Sequence, residues 1–125
     1  MIDYEHQFIF SLLLTLVVEI PVLLVVVRLL LKREKERLPV ALLLFAGFFA
    51  TFATLPYVWF LFPFFIRVHI PYVIASEMFA LIMEALFYLF ILRISLKKAF
   101  LLSLFCNAAS FLIGELVKFF ISLLS

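Results

Sequence analysis

Four long apolar stretches, separated by short connectors, constrain the fold of this chain more than any other feature of its sequence. Each reaches the length of about 20 residues that an α-helix needs to cross a hydrocarbon core about 30 Å thick. Hydrophobic residues make up 69% of the chain, against roughly 45 to 50% in a soluble domain, and the mean hydropathy is +1.35. The sequence therefore predicts transmembrane helices at Phe8 to Leu31, Leu38 to Phe62, Ile70 to Leu92 and Ala99 to Phe120.

The connectors at residues 32–37, 63–71 and 93–98 are short, so successive helices are expected to be antiparallel neighbours. We predict an all-α, four-transmembrane-helix bundle that occupies residues 1–125 as a single domain. The N-terminus is acidic where a signal peptide would be basic, so the first apolar stretch is expected to remain in the mature protein.

Basic residues predict the orientation of this bundle in a plasma membrane. By the positive-inside rule, the connectors at 32–37 and 93–98 are cytoplasmic and both termini are outside. Tyr4, Tyr57, Trp59 and Tyr72 would then form an aromatic belt at the outer interface. Topology and attraction to anionic lipid account for the basic connectors, and we predict no nucleic-acid partner. The residues that carry the rule are Arg28, Lys32, Arg33, Lys35, Arg37, Arg93, Lys97 and Lys98.

Two carboxylates in the third apolar stretch identify a candidate site. Glu77 and Glu84 are seven residues apart and share a helix face, and Tyr88 lies one turn beyond Glu84, with its phenol leaning back toward that carboxylate. A charge at the bilayer centre costs about 2.5 to 3.5 kcal/mol, so an intramembrane glutamate indicates a functional site.

The expected depth of each polar residue in the bilayer identifies the members of this site. Glu19, Glu84 and Asn107 each lie nine residues from a basic residue at the cytoplasmic edge, or about 13.5 Å, close to the midplane. We predict that they converge in one cluster, within a protomer or across a twofold interface, and that at least one of the two glutamates holds its proton at neutral pH unless a bound cation compensates. Glu77 is an outer-side candidate, as is Glu115, which has Lys118 as a partner. The ion-binding candidates are Glu19, Glu84, Asn107, Tyr88, Thr51 and Ser110.

Polar and small residues also form stripes on the other helices. In helix 1, Pro21 follows Glu19 and cannot donate to the carbonyl of Val17, so a helix break beside the carboxylate is predicted; a kinked packing helix is the alternative. Gly47, Thr51 and Thr54 in helix 2, and Ser103, Asn107, Ser110 and Gly114 in helix 4, fit either a polar site or close helix packing.

A Glu-x8-Arg spacing occurs in helix 1, from Glu19, and again in helix 3, from Glu84. It predicts two tandem helix hairpins related by a pseudo-twofold axis along the membrane normal. Thr51 and Thr54 of the first hairpin would then correspond to Asn107 and Ser110 of the second.

Several short pieces resemble a group of small four-helix membrane proteins of uncharacterised function. They are Glu-Ile-Pro at 19–21, Thr-Leu-Pro-Tyr-Val-Trp-Phe at 54–60, Glu-Ala-Leu-Phe-Tyr at 84–88, and Asn-Ala-Ala-Ser at 107–110 followed by Gly114. In that group a His stands between the Thr and Pro of the second piece, where this chain has Leu55. The resemblance implies the fold but no activity.

Motifs of membrane enzymes are missing from the sequence, which contains neither His-Glu-x-x-His nor Gly-x-Ser-x-Gly. His6 and His69 fall at the outer edge, and Cys106 is expected to be a small buried hydrophobe, so no metal or other cofactor is predicted. The leading hypothesis is a homo-oligomeric transport or channel-like protein whose carboxylates bind a proton or monovalent cation. The alternatives are an assembly subunit that uses protonated glutamates as hydrogen-bond glue, and an intramembrane enzyme with a glutamate acid/base.

Overall fold

The computed structural model describes residues 4–31 and 38–124, and four helices account for nearly all of them: α1 (Tyr4–Leu30), α2 (Val40–Phe65), α3 (His69–Leu92) and α4 (Leu96–Leu124). Each helix is long and apolar enough to cross a membrane, and no strand occurs in the described ranges. The prediction of an all-α fold with four such helices is confirmed. The predicted cytoplasmic segment 32–37 and the chain ends, Met1 and Ser125, lie outside the described residues.

Two of the connectors are shorter than the sequence predicts. Helix α2 continues past Pro63 to Phe65, and α4 begins at Leu96, which leaves residues 66–68 and 93–95 as connectors. The proline does not end α2 because the segment Tyr57–Leu61 is a π-helical turn, in which the Phe62 N–H bonds to the Tyr57 carbonyl. Such a turn inserts one extra residue into the helix and shifts the register of the backbone hydrogen bonds that follow it.

The helices pack as a four-cornered bundle. Helix α1 packs against α2 and α4, and α3 packs against the same two helices, so α1 and α3 occupy opposite corners. Gly47 lies where α2 meets α1: a Cβ placed there would be 3.4 Å from side-chain atoms of Ile20 and Leu23. The small residues of α2 thus allow the close helix packing that the sequence indicated.

The apolar core fills the half of the bundle next to the connector at 93–95. Large hydrophobic side chains, mostly Phe, Leu, Ile and Val, cover the outer surface of all four helices. The second half of α4, beyond Ser110, is mostly exposed, and a Cβ at Gly114 would meet no atom within 4 Å. The core consists of Leu23, Val27, Leu31, Leu38, Leu43, Ala46, Ala50, Tyr88, Leu92, Ile94, Ala99, Leu102 and Cys106.

Candidate functional site

A layer of buried polar side chains borders the apolar core on the side away from the connector at 93–95, and all four helices contribute to it. Glu19 on α1 and Glu84 on α3 are each 2% exposed, Thr51 on α2 is 1% exposed, and Asn107 on α4 is 8% exposed. The structure thus brings the two predicted glutamates and the predicted amide into one cluster within a single chain. Their role as ion ligands remains a prediction.

The Glu19 carboxylate accepts hydrogen bonds at both of its oxygens. The Thr51 hydroxyl on α2 donates to Oε2 at 3.0 Å, and the Ser110 hydroxyl on α4 donates to Oε1 at 3.1 Å. The Cys106 thiol lies 3.8 Å from the backbone carbonyl of Glu19. One carboxylate therefore joins α1 to both of its neighbouring helices.

The Glu84 carboxyl has a different set of partners. The Asn107 amide on α4 donates to its Oε2, and the Thr54 hydroxyl on α2 also interacts with this carboxyl. The proton of that hydroxyl, however, is donated to the Ala50 carbonyl at 2.9 Å. Thr54 therefore has an oxygen lone pair available to accept a hydrogen bond from a protonated Glu84.

Asn107 is held in place by the helix before it. Its amide group also donates to the Ser103 carbonyl at 2.9 Å, while the Ser103 hydroxyl donates to the Leu81 carbonyl on α3 at 2.6 Å. Ser103 thus joins α4 to α3 by a hydrogen bond, one helical turn before Asn107 in the chain. The sequence indicated the stripe of Ser103, Asn107 and Ser110 but not the carbonyl that Ser103 would reach.

A small cavity of about 50 Å³ opens between the two glutamates. A water molecule needs roughly 10 to 15 Å³ of such volume and two to four polar partners, so the cavity has room and partners for a few waters. It extends from Asn107 toward the end of the bundle that carries the connector at 66–68. The polar residues that line it are Thr15, Glu19, Thr51, Thr54, Ser76, Glu77, Glu84 and Asn107.

Glu77 belongs to this cavity and is not confined to the bundle surface. It is partly buried, and it interacts electrostatically with Glu115 and Lys118 on one side and with Glu19 and Glu84 on the other. The predicted pairing of Glu115 with Lys118 is confirmed, with 3.4 Å between the two charged groups. The next turn of α3 toward the cavity interior carries Ala80, so Glu77 and Glu84 share one face, as the spacing predicted.

Tyr88 lies deeper than the cavity. It is 1% exposed, and its phenol interacts with the Cys106 thiol and with the Glu84 carboxyl. The phenol was expected to lean toward the Glu84 carboxylate, and the two groups do interact electrostatically; Cys106, on the facing helix, is a further partner that the spacing did not indicate. Cys106 is fully buried, as predicted.

Pro21 does not contribute to the site. Helix α1 continues through it from Tyr4 to Leu30, and both Pro21 and Val17 are on the exposed face of α1, whereas Glu19 is buried. The predicted helix break beside the carboxylate is therefore corrected: the carbonyl that Pro21 leaves without a donor belongs to a residue of the opposite face.

No basic side chain is among the interaction partners of Glu19 or Glu84 in residues 4–31 and 38–124. The two carboxyls do interact electrostatically with each other. Nor do three or more metal-ligating His, Cys, Asp or Glu side chains cluster anywhere in that part of the chain. The cluster is thus a pair of carboxyls surrounded by hydroxyl and amide groups, in an otherwise apolar bundle.

Comparisons with protein-family models, with curated proteins and with solved structures found no match. The resemblance to a group of small four-helix membrane proteins stays a prediction. The fold and the cluster define the chain only as a four-helix protein with a polar centre, and its function has to be argued from that centre.

Proposed function

We propose that this protein is a multi-pass plasma-membrane protein that binds a proton between Glu19 and Glu84 and uses this site to move protons across the bilayer. The proposal assigns the membrane to the four apolar helices, the cytoplasm to the connectors at 32–37 and 93–98, and the outside to both termini. The observation that carries it is the meeting of two buried carboxyls at one polar cavity with no basic partner in the described residues.

Charge balance makes a proton the ligand that fits best. Two ionised carboxylates in a low-dielectric interior repel each other, and burial disfavours the charged form of each. A single proton bound to one carboxyl removes the repulsion between the two carboxylates and the cost of burying that charge. It needs no more space than a hydrogen bond. A monovalent cation such as sodium is the other candidate, since the cavity could also be occupied by a cation bound to carboxylate and hydroxyl oxygens.

The hydrogen bonds favour Glu84 as the carboxyl that holds the proton. Both oxygens of Glu19 accept from hydroxyl groups, as an ionised carboxylate does. Glu84 accepts from Asn107 at Oε2, and its neighbour Thr54 has its own proton engaged by the Ala50 carbonyl. A proton on Glu84 would therefore find an acceptor, whereas one on Glu19 would replace a bond from Thr51 or Ser110.

The contact pattern also supports the proposed pseudo-twofold repeat. Glu19 contacts Thr51 of its own hairpin and Ser110 of the other. Glu84 contacts Asn107 of its own hairpin and Thr54 of the other. The sequence repeat matches Glu19 to Glu84, Thr51 to Asn107 and Thr54 to Ser110. Under this matching, the two contacts of Glu19 become the two contacts of Glu84. The proton site would then lie on the pseudo-axis, between two similar halves.

The two carboxyls find the hydrogen-bond partners described above within one chain, so proton binding does not need a second copy. A homo-oligomer is proposed on different grounds: the cavity between the glutamates is too small to form a continuous pathway, which would need surface from another protomer. The exposed second half of α4 is available for such a contact.

The experiment is a proton-flux measurement with the full chain in proteoliposomes, driven by a potassium gradient with valinomycin and followed by a trapped pH dye. We expect flux from the natural protein and none from Glu84→Gln, which keeps the hydrogen-bonding shape of the protonated acid. Glu115→Gln, at an exposed glutamate on α4, is the matched control and should retain flux. Flux no greater than in empty liposomes would overturn the transport proposal.

A second candidate function is an assembly subunit in which the cluster only joins helices. It is favoured by the complete hydrogen bonding of Glu19 and by the contacts that the two glutamates make to all four helices. In that case Glu84→Gln leaves folding and oligomeric state intact, and the natural protein moves neither protons nor sodium nor potassium.

A further inference from the structure

A groove lies on the outer surface of the α3–α4 hairpin, away from the carboxyl cluster. It encloses about 470 Å³, and its surface is almost entirely apolar. None of its lining residues contacts the cavity between Glu19 and Glu84. They are Ile82, Ala85 and Leu86 of α3 and Leu96, Lys97 and Phe100 of α4.

The groove lies within the depth of one leaflet from the connector at 93–95. Its deepest residue on α3, Ile82, precedes the end of that helix at Leu92 by ten residues, which is about 15 Å along the helix axis. Half of a hydrocarbon core about 30 Å thick is the same distance. An acyl chain that enters the groove at the connector would therefore reach the bilayer midplane at Ile82.

Positive charge is concentrated where the groove meets the connector. Lys97 lines the groove itself, and Arg93 is exposed four residues before it. No acidic residue occurs between Glu84 and Glu115 in the sequence, so this stretch of chain carries a net positive charge. The groove thus combines an apolar channel with a cationic mouth.

Arg93 occupies a backbone conformation that disfavours it. Its φ is 54°, and it is the one non-glycine residue with positive φ in the described ranges. Helices that end in this left-handed conformation usually have glycine there, because a side chain costs energy in it. The arginine at this strained position places an exposed cation four residues before Lys97.

We propose that this groove binds one anionic phospholipid of the bilayer, with an acyl chain between Ile82 and Phe100 and the phosphate at Lys97 and Arg93. The head group is recognised by charge, and the chain by the apolar walls. A zwitterionic lipid has the same chain but no net charge, and it binds this site more weakly. The proposal does not depend on proton transport, since no residue of the carboxyl cluster takes part.

The test is native mass spectrometry of the purified, delipidated full chain, titrated with phosphatidylglycerol and, separately, with phosphatidylcholine of the same acyl composition. We expect one tightly bound phosphatidylglycerol per chain. Lys97→Gln should weaken it about fivefold, as expected for one basic residue at an anionic head group. Lys118→Gln, at the opposite end of α4, is the matched control and should leave binding unchanged. Equal binding of the two lipids, or equal effects of the two lysine changes, overturns the proposal.

Two further variants separate the parts of the site. Leu86→Trp places a larger side chain in the groove and should reduce binding by excluding the acyl chain. Arg93→Gly should weaken binding while the Tm stays the same or rises, because glycine relieves the backbone strain. Inorganic phosphate at millimolar concentration should not displace the lipid; displacement would show a plain anion site and contradict the role of the groove.

Discussion

The Tyr72 phenol on α3 donates a 2.7 Å hydrogen bond to the backbone carbonyl of Val58 on α2. Pro63 explains why that carbonyl is available: it stands five residues after Val58, at the position that would donate in a π-helical register, and has no N–H. It also stands four residues after Trp59, whose carbonyl accepts the Tyr4 phenol from α1 instead. Two tyrosines thus replace the donor that one proline removes, and they join three helices at the end of the bundle that carries the connector at 66–68.

Tyr72→Phe should lower the free energy of unfolding by about 1 kcal/mol, because it leaves the Val58 carbonyl without its donor. Unfolding by sodium dodecyl sulfate in mixed micelles, followed by circular dichroism, measures this change. Tyr57→Phe is the matched control, since Tyr57 is half-exposed on the same segment. Pro63→Ala, which restores an N–H, should reduce the cost of Tyr72→Phe; equal costs in both backgrounds would contradict this account.

Asn107→Leu should cost about 1 to 3 kcal/mol, because the change removes the amide donor from the Glu84 carboxyl and from the Ser103 carbonyl in a buried setting. The same unfolding assay measures it. Ser122→Ala, at an exposed serine on the same helix, controls for a general effect on α4. A cost no larger than that of the control would mean that Asn107 does not support the carboxyl cluster.

Cys106 should react slowly with maleimide in the folded protein and readily after unfolding. The thiol is fully buried between Tyr88 and the Glu19 carbonyl, and it is the single cysteine of the chain. Ser95→Cys in a Cys106→Ala background places the thiol on the exposed connector and gives the rate for an open site. If Cys106 in the native protein reacts as fast as this variant, the packing of α1, α3 and α4 described above is wrong.

The proposed orientation is tested in intact cells with a membrane-impermeant thiol reagent and the same Cys106→Ala background. Val68→Cys, on the exposed connector between α2 and α3, should be labelled from outside. Ser95→Cys should be labelled only after the cells are opened. The reverse pattern would place the connector at 93–95 outside and invert the proposed topology.

Sequence periodicity and depth were sufficient to predict the polar cluster. Counting from the basic residues placed Glu19, Glu84 and Asn107 at one level, and the structure brings them together. Counting works here because each residue of an α-helix adds about 1.5 Å, so equal counts from one end of the bundle reach similar heights. The four helices follow from their length and hydropathy alone, apart from shifts of a few residues at their ends.

Contacts that depend on the rotation of one helix against another were not predicted. The Tyr88 phenol was expected to lean toward Glu84, on its own helix, and its interaction with Cys106 was missed because sequence spacing gives no position for Cys106 on α4. Pro21 was assigned to the site because it follows Glu19, yet it lies on the opposite face of α1. The use of Tyr4 and Tyr72 as substitute donors required knowing that α2 contains a π-helical turn before Pro63.

The most direct test of the proposed proton site is infrared spectroscopy of the reconstituted full chain at neutral pH, in the carbonyl-stretch region of protonated carboxylic acids. We expect one band from a buried, protonated carboxyl in the natural protein. It should disappear in Glu84→Gln and persist in Glu115→Gln. Absence of the band from the natural protein, or its persistence in Glu84→Gln, would contradict the claim that Glu84 holds a proton beside an ionised Glu19.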